Sequence, residues 1–452
     1  MHGGPPVHRL PHELLSQIFR HATTSQLFDA TLSRRSIPLV ISHVCGLWRE
    51  VAIDLPGLWQ WISLTGCPTR YEHHGRDLAL LFMQRTKGLG MSVYYRDAEA
   101  ASVEDDYWQV VALRKGIKAV ADEHRCYCAL DLIMARIAEI RVLELVIGHA
   151  SSVRLSSLPA SAAASLRTLF VKFIQRGGHE HLMSTLLCTS PQLRRLSWSS
   201  RLRVCSVTLP AHVSWTRLVQ AHLDESPMSY GAFFDMLSAG QYLKDVWVRL
   251  ARETRPPLPP STRLSQFTLE KLQICGDEPL DEVFSALHLP ALRLLWLKAN
   301  SRNPTIGWPC NDPRALYQFI AMGTGALDDF HIMPGGTVDE VTLVAILALP
   351  QMATLTSLDA VLSTISDKLL IRLQPMHGGP SVLLPNLTKL TLGQCATSDG
   401  VFSRMLQLRY DHGYPLKNVR IEFKRTEEHR HPSDEAMFRW LADRGMYARA
   451  SY

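Results

Sequence analysis

The sequence has no massed basic segment, no apolar run of membrane length, no strong excess of either charge and no second cysteine pair that would complete a finger-like ligand set. With 48 Lys and Arg spread among 42 Asp and Glu, a net charge of +6 describes a mildly basic solvated surface and excludes a nucleic-acid footprint from the expectations. The longest apolar stretch, around Val341 to Leu349, is far short of the roughly 20 residues that cross a bilayer, and His2-Gly-Gly-Pro-Pro has no apolar signal core. Gly-x-x-x-x-Gly-Lys, Gly-x-Ser-x-Gly and His-Glu-x-x-His are all missing, which removes the usual supports for nucleotide binding, acyl transfer and metalloprotease chemistry. The nine cysteines are odd in number and mostly set in apolar periodic stretches, as suits buried thiols in a reducing compartment better than a disulfide frame. A soluble intracellular protein, cytoplasmic and/or nuclear, is expected, with no cofactor, no bound metal, no nucleic-acid partner and no membrane partner.

Three short stretches could be imagined as metal ligands. His124-Arg-Cys126-Tyr-Cys128 and His179-Glu-His181 lack a partner pair at zinc-site spacing, so surface histidines and buried thiols are expected there. His429-Arg-His431 sits in a charged stretch before Pro432 and reads as a solvated loop. No cysteine stands out as a nucleophile.

What is present in abundance is a recurring apolar signature. Apolar-x-x-apolar-x-apolar begins at Ile140, Leu166, Leu193, Leu218, Leu243, Leu264, Leu292, Leu327, Leu355, Leu387 and Leu416. Each copy predicts a short strand whose last two apolar positions, such as Leu295 and Leu297, share a face by the period of two. The intervening Leu280-Val283-Phe284-Leu287, Leu316-Phe319-Ile320 and Met437-Trp440-Leu441 have helical spacing, and Thr337-x-x-Glu340 has the form of a capping box. The residue between the two apolar strand positions points away from the core. If the strands stack, those residues form a column: Phe170, Ser197, His222, Trp247, Thr268, Trp296, His331, Asp359, Thr391 and Arg420, flanked by Lys172, Asp224, Arg249 and Lys298. Trp247 and Trp296 fall two units apart, roughly 10 Å, and exposed Trp beside Arg or Lys has the composition of an interface hot spot. Phe170, His222, Trp247, Arg249, Trp296, Lys298, His331 and Arg420 are therefore the expected substrate-binding residues.

Upstream, residues 1 to 6 read as a flexible tail. Leu10-Pro-His-Glu-Leu14-Leu15-Ser-Gln-Ile18-Phe19 predicts one amphipathic helix and Leu39 through Ala52 a second, closed by Asp54-Leu-Pro56 and the bulky Leu58-Trp59 and Trp61-Ile62. Leu78 to Met83 predicts a helix, Gly90 to Tyr95 a strand and Tyr107 to Val120 a further helix headed by Glu104-Asp105-Asp106.

The order Leu-Pro-x-Glu-Leu-Leu-x-x-Ile-Phe (Leu10 to Phe19), Val-Cys-x-x-Trp-Arg-x-Val-Ala (Val44 to Ala52) and Pro-x-Leu-Trp (Pro56 to Trp59) resembles the F-box, with a longer connection carrying Arg34-Arg35. The later units, with spacings of 21 to 35 residues and Asn300 and Cys395 at the family's Asn or Cys position, resemble irregular leucine-rich repeats. These resemblances imply an α/β fold with a small N-terminal all-helical F-box module, residues 7–64, and an irregular leucine-rich-repeat horseshoe solenoid, residues 140–452. Residues 65–139 would be a linker with irregular first repeats. They imply a non-catalytic substrate-recognition subunit of an SCF-type ubiquitin ligase, binding a Skp-family adaptor and the cullin-RING ligase through Leu10, Pro11, Leu14, Leu15, Ile18, Val44, Cys45 and Trp48, and a protein substrate through the column. The alternatives are an interaction scaffold that recruits no ligase, and an enzyme with a site at the junction of the two regions.

Overall fold

The computed structural model describes residues 10–24, 32–33, 35–67, 75–97, 126–159, 161–174, 188, 190–200, 215–251, 263–300, 307–323, 325–375, 382–414, 416–424 and 431–451. The chain divides into two compact units, Met1–Leu218 and Val219–Tyr452.

The first unit opens with helices α1 (His12–Thr24), α2 (Ile37–Ser42) and α3 (Gly46–Ile53). The single helix expected over Leu39 to Ala52 is two, because Cys45 is fully extended (φ −159°, ψ 173°) and starts α3 afresh. A 3-10 turn, Pro56–Trp59, leads into strand β1 (Trp61–Thr65), followed by helix α4 (Arg76–Arg85) and β2 (Met91–Arg96), then α5 (Cys128–Ala135), β3 (Ile140–Ile147), α6 (His149–Leu155), β4 (Thr168–Phe173) and β5 (Arg195–Ser200). β1 pairs with β2, β2 with β3, β3 with β4 and β4 with β5, all parallel.

The second unit contains β6 (Gln220–Met228), α7 (Tyr230–Ala239), β7 (Asp245–Leu250), β8 (Leu264–Ser265), β9 (Lys271–Gly276), α8 (Asp281–Ala286), β10 (Leu287–His288), β11 (Leu294–Ala299), α9 (Pro313–Met322), β12 (Asp329–Gly335), α10 (Glu340–Leu347), β13 (Ser357–Ile365), α11 (Asp367–Leu373), β14 (Lys389–Cys395), α12 (Val401–Asp411), β15 (Asn418–Phe423), α13 (Pro432–Asp443) and β16 (Tyr447–Ser451). Its main strands run β6-β7-β9-β11-β12-β13-β14-β15-β16, parallel throughout, while β8 and β10 form a separate two-stranded pair.

Local chemistry explains the regularity. In β4 and β7 every second residue is buried, so Leu169, Val171 and Phe173, and likewise Val246, Val248 and Leu250, face the core. The entry to many of the strands repeats one device: two successive N–H groups donate to a single carbonyl one strand back. Lys244 and Asp245 donate to Val219, Arg293 and Leu294 to Glu270, Thr356 and Ser357 to Asp328, and Lys417 and Asn418 to Thr388. Close packing fixes small residues as well: a Cβ on Gly276 would stand 3.2 Å from the Trp308 ring and 3.1 Å from the Leu250 carbonyl. Among the described residues no helix is long and apolar enough to cross a membrane.

The expected architecture, a small all-helical module followed by a horseshoe solenoid from residue 140, is corrected. The structure is α/β on parallel sheet from Trp61 onward, and among the described residues no all-helical module stands apart. Leu32 N–H donates to Ser63 O of β1, Trp59 Nε1 donates to Ala52 O of α3, and the Trp59 ring lies edge-on to Phe82 of α4 at 4.9 Å under the Arg85 guanidinium. The apolar signature specifies a strand and the turn that follows, which is local; it does not specify what the strands assemble into. The capping box is corrected too. Asp339 is the N-cap of α10 and accepts from Thr342 N–H; Thr337 donates its hydroxyl to the carbonyls of Trp308 and Cys310; and Glu340 accepts from Ser366 and Leu369. The Tyr107 to Val120 helix and Glu104 to Asp106 lie outside the described residues.

Candidate functional site

Two surfaces and one thiol cluster carry chemistry. The first surface lies on the N-terminal helices. Two leucines stand side by side in α1, and helical geometry sends them to different faces: Leu15 is fully buried with Phe19 one turn on, whereas Leu14 is 45% and Ile18 49% exposed. Phe19 meets the Trp48 ring edge-on at 5.0 Å, which ties α1 to α3. In α2, Leu39 and Ile41 are buried while Val40 is 50% exposed, and Val44, one turn further, is 53% exposed.

Of the residues expected to meet an adaptor, Pro11, Leu14, Ile18 and Val44 are exposed, and Leu10, Cys45 and Trp48 are half-buried. Leu15 is corrected: it is core. Val40 was missed, although its spacing of four from Val44 was the available signal. The four exposed aliphatic side chains are the kind that a partner covers, and burying what they expose is worth of the order of 8 kcal/mol before the costs of association.

The second surface is the sheet face of the Val219–Tyr452 unit. The register aligns His222, Trp247, Gln273, Trp296, His331, Asp359, Thr391, Arg420 and Arg449 across β6, β7, β9, β11, β12, β13, β14, β15 and β16. Thr268 is corrected: Gln273 holds that place. Two overlapping signatures, from Leu264 and from Leu269, compete there, and the second forms β9. The spacing from Leu243 held the signal, 26 residues to Leu269 against 21 to Leu264, the shortest interval in the series. Arg449 was missed because Tyr447 to Ser451 lacks the leucines.

The aromatic members form a ladder. His222 stacks on Trp247 at 4.1 Å, Trp247 meets Trp296 edge-on at 6.5 Å and Trp296 stacks on His331 at 5.0 Å. Both tryptophans are half-buried by their neighbours rather than fully exposed, and the cation–π contacts of the described residues lie elsewhere, over Trp59, Tyr127 and Trp440. Arg249 points its Nε and Nη2 at the Asn300 side-chain oxygen, 2.8 and 3.2 Å with that amide turned to accept. Lys298 and Arg420 are exposed.

Beside the rings, buried polar atoms go without a hydrogen-bond partner among the described residues: Trp296 Nε1, Gln273 Oε1, His331 Nδ1, Asp359 Oδ1 and Ser357 Oγ. His331, expected on the surface, is corrected to buried at 8% exposure; its Nδ1 is 3.6 Å from Asp359 Oδ2, too far for a hydrogen bond. Each such atom costs about 1–3 kcal/mol unless something outside the fold meets it.

In the first unit the matching column reads Ser63, Tyr94, Glu144, Phe170 and Ser197. Glu144 was missed; burial holds its carboxyl above the ordinary range. Lys172 is half-buried, and the side chain of Asp224 lies outside the described residues.

The third feature was dismissed from sequence. Cys126 and Cys128 meet Cys67, which follows β1: the three sulfurs lie within 4.8 Å of one another, Cys67 and Cys128 Sγ are 3.6 Å apart, and Cys128 N–H donates to Cys126 Sγ at 3.5 Å. Burial, then hydrogen bonding to Cys126 and Cys67, pushes the Cys128 thiol up to about 12. His124, His179, His181 and His429 lie outside the described residues. His431 is corrected from solvated loop to core: it is buried, stacks on Phe423 at 3.9 Å and sits 3.2 Å from Asp434. Asp434 and Asp399 are occupied by N–H and O–H donors from Ser403, Ser433 and Asp434 itself, so this cluster locks the start of α13.

No protein-family model matches the chain. A search of curated proteins also finds no match.

Proposed function

We propose that the chain is a non-catalytic substrate receptor of an SCF-type ubiquitin ligase, working in the cytoplasm or nucleus. The N-terminal helices dock on a Skp-family adaptor and through it on a cullin-RING ligase; the sheet face of the second unit holds a target protein. The observation that carries the reading is the split of α1 and α2 into a core-facing set, Leu15, Phe19, Leu39 and Ile41, and an exposed aliphatic set, Leu14, Ile18, Val40 and Val44. The second set lies outside the core, and exposed apolar anchors at helical spacing are what a helical partner groove receives. The ladder of His222, Trp247, Trp296 and His331 supports an aromatic contact on the sheet face.

Co-purification of the full chain with a Skp-type adaptor and cullin tests the proposal. The native chain is expected to bring down both. A Trp247→Ala/Trp296→Ala variant is expected to keep them and to lose its targets in the same capture. A folded native chain that brings down neither adaptor nor cullin, yet retains targets through Trp247 and Trp296, is an interaction scaffold and overturns the ligase assignment.

A further inference from the structure

We propose that Cys67, Cys126 and Cys128 form a binding site for a thiophilic divalent cation, zinc above all. A zinc–thiolate bond of about 2.3 Å in tetrahedral geometry sets neighbouring sulfurs roughly 3.8 Å apart; Cys67 and Cys128 Sγ are already 3.6 Å apart, and the third sulfur lies within 4.8 Å of both. The backbone prepares this arrangement. Cys67 and Cys126 face each other in an isolated antiparallel bridge, which sets their side chains on one side, and Cys128 opens α5 two residues on from Cys126. The Cys128 N–H bond to Cys126 Sγ is the kind of outer contact that holds a sulfur ligand in place.

No disulfide joins these residues, and an odd set of three thiols cannot be consumed by one. Soft sulfur donors select zinc over magnesium or calcium. Cys126 and Cys128 are half-buried, so solvent reaches the cluster, and a water completes the fourth position. On binding, each thiol releases its proton to solvent and the cation is held by three thiolates. The ion would tie the residues after β1 to the start of α5. Cys188, Cys275, Cys310 and Cys395 are buried outside the cluster and serve as controls.

The test uses the full chain, reduced and purified without chelator. Elemental analysis is expected to find about one zinc per chain, and cobalt(II) added to the stripped protein is expected to give a thiolate-to-cobalt charge-transfer band. Cys67→Ser, Cys126→Ser and Cys128→Ser should each weaken cobalt binding at least tenfold, while Cys188→Ser and Cys310→Ser leave it unchanged. Should a serine variant not fold, zinc-dependent protection of these three thiols from alkylation, mapped on the native chain, decides the matter. A folded, reduced native chain with no zinc and no cobalt band overturns the proposal, as does a band that survives Cys67→Ser or equal alkylation with and without zinc.

Discussion

Replacing Arg409 by Met should destabilise the second unit. The guanidinium is 1% exposed and has no acidic partner among the described residues; its N–H groups donate to four backbone carbonyls, Leu384 at 2.8 Å, Leu373 at 3.1 Å, Leu383 at 3.2 Å and Tyr414 at 3.3 Å. These carbonyls lie at the end of α11, in the approach to β14 where Leu384 is left-handed (φ 54°), and in the turn after α12. One side chain thus satisfies three irregular segments. Burial pushes its pKa down to about 10, the mark of a desolvation penalty that the carbonyls offset only in part.

Methionine fills similar space but donates nothing. Four carbonyls each lose a donor at about 1 kcal/mol, and relief of the buried charge returns some of that, leaving a net loss of about 2–3 kcal/mol. For a unit of this size that is a fall of about 5–10 °C in melting temperature. Calorimetry of the full chain reads it directly. A variant that melts within about 1 °C of the native chain would mean that burying the charge costs as much as its hydrogen bonds contribute, and would refute the reasoning.

Two further predictions concern charge. Asp339→Ala removes the N-cap of α10 and should cost about 1 kcal/mol at neutral pH. Hydrogen bonds from Thr342 hold the Asp339 carboxyl below its ordinary 3.8, so its contribution is present above that value and lost as pH falls through the lower folded value; melting curves of variant and native chain should converge in acid. Glu144→Gln should act in the opposite sense. The folded carboxyl binds its proton more tightly than the unfolded one, whose value is near 4.5, so native stability falls as pH rises from there through the folded value; the Gln variant should melt higher than the native chain at neutral pH and equal it at pH 4.

Much of the local structure was legible because leucine spacing reports burial. Leu292, Leu295 and Leu297 are core, as are Leu387, Leu390 and Leu392, and the strand register follows. Periodicity blurred where leucines abound. It could not say which of Leu14 and Leu15 faces inward, nor which of two overlapping signatures near Leu264 is the strand. Arg409 was invisible, since an arginine in a helical pattern reads as solvent-facing until the carbonyls around it are known. The thiol cluster joins residues 59 positions apart, and no short-range pattern links Cys67 to Cys126. The assembly of the strands was read wrongly because a strand signature constrains its own residues and says little about what lies beyond them.

In the proposed function the exposed aliphatic set on the N-terminal helices, Leu14, Ile18, Val40 and Val44, docks on a Skp-type adaptor. Titrating the adaptor into the full chain tests it most directly, with Leu14→Asp/Ile18→Asp beside the native protein. At about 2 kcal/mol or more for each lost apolar anchor, the double variant should bind at least 100-fold more weakly, while its melting temperature stays close to native because neither side chain is core. Equal affinity of the double variant and the native chain, or no measurable binding by a folded native chain, would contradict it.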